Sequence, residues 1–278
     1  MIYANRPFPI SIKFITTGLC LGLLSSIFPY AIGAASAKGL NGTDIYNSLI
    51  YAFLHLQYNG WFLFIALGLF FHLLDYENIY YNKTRGILFY WLIFIAIIPS
   101  ISLSLLGMEY AYKIENIAYV SSFILGLALI VFILTLPKKI LILFHTKSFW
   151  YNLYLAGFIL SFSLKIMLQC FSILSLFESY AFQNKLIIIA YLHLSLIGSI
   201  SFLFFALMIN KKWIVNNVFS NVGNTLLFLG FASTEIILIM GGVGIFYSQA
   251  LLILGSGAMA VGILAIITSG IIKKHPVE

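Results

Sequence analysis

Between one charged side chain and the next, this sequence repeatedly runs uncharged for the width of a lipid bilayer. The intervals are residues 14–37, 45–74, 86–108, 116–137, 186–210, 213–234 and 236–272. At 1.5 Å of rise per residue each can cross a hydrocarbon core of about 30 Å as a helix, and the last has room for two crossings. Between Lys147 and Glu178 a further apolar stretch is broken only by Lys165. Charged residues make up 8% of the chain, against about 25% in a soluble domain, so a water-facing surface of ordinary composition cannot be built. The pattern predicts an all-α, polytopic transmembrane helical bundle of about eight helices. Their expected ranges are 12–33, 50–74, 87–107, 117–136, 150–176, 186–209, 220–241 and 247–270, with a single integral membrane domain over residues 1–278 and no loop long enough for a soluble domain.

With a cytoplasmic N-terminus, eight crossings place Arg6, Lys13, Lys83, Arg85, Lys138, Lys139, Lys147, Lys211, Lys212, Lys273 and Lys274 on one side. Only Lys38, Lys113 and Lys185 fall on the other. That asymmetry predicts both termini in the cytoplasm and suits a bacterial cytoplasmic (inner) membrane. The net charge of +7 is then a topology signal, and without a basic stripe along one surface it points to no nucleic-acid partner. The expected partners are membrane lipids and, in some readings, respiratory-chain or other membrane-protein subunits. Cys20 and Cys170 both lie in expected spans and offer no disulfide framework. Residues 1–37 resemble a signal peptide in the basic start and in Ala35-Ser36-Ala37. The length of the apolar run and the Gly18/Gly22 spacing favour a retained first transmembrane helix.

In so apolar a chain, polar groups within the spans are the functional candidates, because an unpaired one is costly in hydrocarbon. His55, Gln169, His193 and Glu235 each fall about 8–10 Å from the same end of their expected helices, so four uncommon residues share one membrane level. His55 and Asn59 are four apart on one helix face. Gly60 follows at once, leaving space for a planar group or a neighbouring helix. His193 has Gly198 at the same remove. One imidazole from each helix could ligate a haem b iron, with His55 and His193 as metal ligands and Asn59, Gly60 and Gly198 lining the cofactor. The same two histidines would equally serve as interhelical hydrogen-bond anchors or as a proton, ion or substrate site. Ser161, Lys165 and Gln169 form a stripe expected to face the bundle interior. Lys165, Gln169 and Glu235 are candidates for a proton or ion path. Asn224 and Glu235 share a helix face. Small residues at Gly255, Gly257, Ala258, Ala260, Gly262 and Ala265 predict close packing of the last helix.

At His55-Leu56-Gln57-Tyr58-Asn59-Gly60-Trp61 and at His193–Gly198, the chain resembles haem-bearing helices of the haem-copper oxidase subunit I superfamily and of NnrS-like membrane proteins. The resemblance implies haem held between helices by His55 and His193. It covers about 20 residues and departs from a full catalytic subunit, which has more helices, more ligating histidines and a copper site. It therefore implies a haem-only relative that does not itself reduce oxygen. Three functions follow as expectations: a haem b-associated protein in electron transfer, sensing or respiratory assembly; a noncatalytic membrane-complex subunit or assembly factor; and a proton-coupled transporter. No evident inverted repeat and no matching pair of broken helices support the last. HExxH, GxSxG and Walker-type signatures are all missing.

Overall fold

The computed structural model describes residues 8–136, 147–174, 177, 180, 182 and 184–272. Arg6, Pro137, Lys138, Lys139, His145, Glu178, Lys273, Lys274 and His275 lie outside the described residues. Among those described, every regular element is helical: α1 (Ile10–Ser25), α2 (Phe28–Ala37), α3 (Asp44–His55), a π-helical segment π1 (Leu56–Phe62), α4 (Leu63–Tyr76), α5 (Lys83–Ala96), α6 (Ile101–Ser104), α7 (Ala111–Thr135), α8 (Phe149–Phe171), α9 (Lys185–His193), a second π-helical segment π2 (Leu194–Ser201), α10 (Phe202–Asn210), α11 (Val218–Gly242) and α12 (Gln249–Ile272). Among the described residues, seven stretches are long and apolar enough to cross a membrane: Ile10–Ala37, Asp44–Tyr76, Ala111–Thr135, Phe149–Phe171, Lys185–Asn210, Val218–Gly242 and Gln249–Gly270.

The expected third span, 87–107, does not form as one helix. It begins earlier, at Lys83, stops at Ala96, and resumes only as the four residues of α6. Pro99 explains the break, since it has no N–H to donate and its ring excludes a continuing helical turn. Two other spans depart from regular α-helix in a way the sequence does not announce. Asp44–Tyr76 and Lys185–Asn210 each pass through a π-helical segment, and in both the last α-helical residue before it is a histidine, His55 and His193. Both stretches stay helical throughout, so the π turns are matching irregularities rather than breaks.

Span starts follow local capping chemistry. Thr43, Asn82, Asn184 and Asn217 each accept a hydrogen bond from a backbone N–H of the first turn, satisfying donors that have no intrahelical partner. Asn217 and Ser220 form a reciprocal capping box. Asn184 does more than cap, because its side-chain amide also donates to the Gly242 carbonyl at 2.6 Å, tying α9 to the end of α11. Asn184→Ala is expected to cost about 1–2 kcal/mol in detergent unfolding, through the lost cap and the orphaned carbonyl.

The chain divides into two compact units, residues 1–142 with 163–178, and residues 143–162 with 179–278. In the first, α1 packs on π1 and α4, and α5 packs on α7. Phe14, wholly buried, has its ring centroid within 5.0–5.7 Å of those of Phe64, Phe71, Phe89 and Tyr90, so α1, α4 and α5 share an aromatic core. In the second unit, α11 and α12 make the closest helix pair. A Cβ placed on Gly223 would lie 2.7 Å from the Gly262 carbonyl oxygen, and one on Gly230 would lie 2.6 Å from that of Gly255. Only glycine lets two backbones approach so closely.

Candidate functional site

In the first unit the π1 segment follows directly on His55, whose ring is buried. Its Nε2 lies 3.2 Å from the Ile97 carbonyl and 3.0 Å from Ser100 Oγ, and its Nδ1 lies 3.2 Å from Asn59 Nδ2. These contacts fix the tautomer: Nε2–H donates and Nδ1 accepts from the Asn59 amide. The carbonyl it meets is a product of the Pro99 break. Ser100 N–H turns back to Ala96 and Ile101 N–H to Ile98, so Ile97 loses its helical donor, and the imidazole and the Ser100 hydroxyl supply replacements. Asn59 does orient the imidazole, as the four-residue spacing predicts. Ser100 and the Ile97 carbonyl were not anticipated. The signal for them is Pro99, which frees backbone acceptors nearby.

Also in this unit, Lys165 is almost entirely buried and donates to Gln169 Oε1 at 2.8 Å. Ser161, Lys165 and Gln169 are all buried, as the stripe predicts. A cationic side chain in a span is stabilised only by such polar partners. Lys165 lies within electrostatic reach of His55, so the imidazole and the lysine side chain belong to one polar region of the first unit. Ser122 and Cys170 exchange side-chain to backbone bonds at 3.2 and 3.3 Å, holding the end of α8 against α7.

In the second unit π2 follows directly on His193. Its Nδ1 lies 3.2 Å from Glu235 Oε1 on α11, at ion-pair distance but without the alignment of a hydrogen bond. Side chains of His193 and Glu235 are 30% and 13% exposed, so this pair is less enclosed than His55. Glu235 is the only described carboxylate of the second unit. Asn224, on the same helix, accepts from the buried Tyr154 hydroxyl at 2.9 Å. Two serines back-bond along the π turn: Ser199 Oγ donates to the Leu194 carbonyl and Ser201 Oγ to that of Leu196.

Gly60 and Gly198 each take a neighbouring helix. A Cβ on Gly60 would stand 3.2 Å from Leu21 Cβ, and one on Gly198 would overlap Ser161 Oγ and lie 3.4 Å from Phe231 Cζ. Of the two occupants the sequence allows beside Gly60, a planar group or a helix, the helix fills the space. Among the described residues no group of three or more His, Cys, Asp or Glu is placed to hold a metal ion.

No protein-family description, curated protein or solved structure matches this chain. Fold and polar seats together define a multi-pass helical membrane protein with ionisable side chains held inside its spans.

Proposed function

We propose that this chain is a proton-coupled transporter of the cytoplasmic membrane, with eight crossings and both termini in the cytoplasm. The eighth crossing is α5 with the turn after it and α6. The observation that carries the reading is the His193–Glu235 contact. An acid and a base meet at 3.2 Å within two apolar spans, where ionisable groups are expensive to keep and typically mark an ion or proton route. π-helical interruptions in the second and sixth spans support it, since such turns concentrate at functional sites and loosen the helix locally. Lys165 and Gln169 supply a second polar station in the fifth span.

The test is proton flux into liposomes holding the purified chain and an entrapped pH dye, driven by a potassium diffusion potential. Glu235→Gln is expected to lower the flux at least tenfold, with Lys165→Met lowering it less. Equal flux in the original and both variants would rule transport out.

The haem b reading uses the same histidines differently. To offer Nε2 to iron, His55 would have to give up Ile97 and Ser100. That reading predicts a Soret band in protein from haem-replete cells, lost in both His55→Gln and His193→Gln. The transport reading predicts no histidine-dependent band.

A further inference from the structure

His55 and His193 are 138 positions apart, and so are the residues around them. Between 50 and 64, seven of the fifteen positions hold the same residue 138 further on: Ile50 and Ile188, Ala52 and Ala190, Leu54 and Leu192, His55 and His193, Leu56 and Leu194, Gly60 and Gly198, Phe64 and Phe202. The structural parts keep that register. Each histidine closes an α-helix and opens a π segment, with backbone angles of φ −61°, ψ −48° at His55 and φ −61°, ψ −47° at His193. Each glycine seats the span before it, Leu21 of α1 or Ser161 of α8. Each histidine reaches into the span after it, to Ile97 or to Glu235, again 138 positions apart. The fourth span of each set, α7 or α12, starts at Ala111 or Gln249, at the same separation.

We propose that residues 10–135 and 149–272 are two copies of one four-span unit, and that His193–Glu235 is a proton-binding site built on the seat that the first copy uses, at His55–Ile97, as a fixed anchor. The repeat is one of sequence and element order. It is distinct from the division into compact units, in which the end of α8 belongs with the first.

Position 97 and its counterpart 235 separate the two roles. In the first copy the partner of the histidine is a main-chain carbonyl, which cannot exchange a proton. Both ring nitrogens of His55 are engaged, and a proton on Nδ1 would require Asn59 to turn its amide round. In the second copy the counterpart of Asn59 is Ile197 and that of Ile97 is Glu235, so the Nδ1 edge faces a carboxylate. The pair binds one proton, shared between His193 Nδ1 and Glu235 Oε1, and the contact tightens from a close approach into a charge-assisted hydrogen bond. The other titratable or charged groups described in the second unit are Lys147, Lys185, Lys211 and Lys212 near span ends and the tyrosines at 151, 154, 180, 191 and 247. Of these, Tyr191 stands two residues from His193 on α9 and Tyr154 faces α11 at Asn224. Around His55 the facing groups are Asn59, Ser100, Ser104 at 3.4 Å and, within electrostatic reach, Lys165.

This inference rests on the pair named as the proton station above, and it is tested without transport, so absent flux and an absent proton site are separate results. The full chain carrying His72→Gln, His145→Gln and His275→Gln, labelled with 15N-histidine in lipid nanodiscs, retains two imidazoles. Across a pH series one is expected to pass from neutral to imidazolium and the other to stay neutral with Nε2 protonated. Glu235→Gln is expected to abolish or displace that titration and to remove a carboxylate stretching infrared band that shifts with pH as the charge-assisted bond forms. Both rings titrating, neither titrating, or a titration and band unchanged in Glu235→Gln would overturn the proposal.

Discussion

Gly262→Val is expected to lower the thermal unfolding midpoint by roughly 2–5 °C, the cost of about 1–3 kcal/mol that follows from overpacking a close contact. A Cβ at 262 would stand 2.6 Å from the Gly223 carbonyl oxygen and 2.8 Å from the Leu227 nitrogen. Neither atom can rotate away as a side chain would, so the helices must separate. Separation also weakens the neighbouring contact, one level along, where Gly230 meets Gly255. Gly223→Val should therefore cost about as much alone and little more when added to Gly262→Val, because the first change has already opened the seam. Gly257→Val is the control: nothing stands within 4 Å of a Cβ there, and its midpoint should stay near that of the unchanged protein. Circular dichroism melts of the four variants and the unchanged protein in one detergent decide the matter. Equal losses at 257 and 262 would mean that helix propensity, rather than the approach of α11 and α12, governs this pair.

The small residues of the last helix announce that seam but not its register. Gly255 and Gly262, seven residues apart, make the close approaches, two of the six small residues that the sequence offers. Which small residue faces the partner depends on the phase of both helices, and apolar composition is uniform around each. Span positions were legible for a simpler reason: a bilayer tolerates few charges, so Lys, Arg, Asp and Glu bracket the helices. Where a span is interrupted by proline, at Pro99, the sequence carried the warning. Where it is interrupted by a π turn, after His55 and His193, it carried none, since an extra residue in a helical turn leaves no compositional trace. Those turns shift the helix phase just beyond each histidine. The equal depths of His193 and Glu235 were legible, while their meeting was not. Asn59 and the Lys165–Gln169 pair were found because four-residue spacing within one helix needs no tertiary knowledge. The repeat was present in the letters throughout, as Ala-x-Leu-His-Leu-x-x-x-Gly at 52–60 and 190–198, but gains weight only when the same positions seat the same spans.

His55→Leu is expected to destabilise the first unit by about 2 kcal/mol. Leucine nearly matches the imidazole in bulk and removes both hydrogen-bonding edges, leaving the Ile97 carbonyl with Ser100 alone and the Asn59 amide without its acceptor. Each unsatisfied buried group costs about 1–3 kcal/mol in water-soluble proteins. Within a membrane the unfolded chain also finds partners, which brings single interhelical bonds nearer 0.6 kcal/mol on average, and the figure given lies between these limits. Ser100→Ala should cost less alone but more in the His55→Leu background, where the hydroxyl is the last side-chain donor on that carbonyl. His55→Gln, which keeps a donor and an acceptor, should recover part of the loss. His193→Leu should disturb unfolding less, because the contact it removes lacks hydrogen-bond alignment, while lowering proton flux as Glu235→Gln does. Stability and flux therefore answer different histidines: loss of stability at 55 with flux per folded molecule retained, and loss of flux at 193 with stability retained. The opposite assignment would make the buried imidazole the working group and the partly exposed pair the brace, and the roles given to the two seats would have to be exchanged.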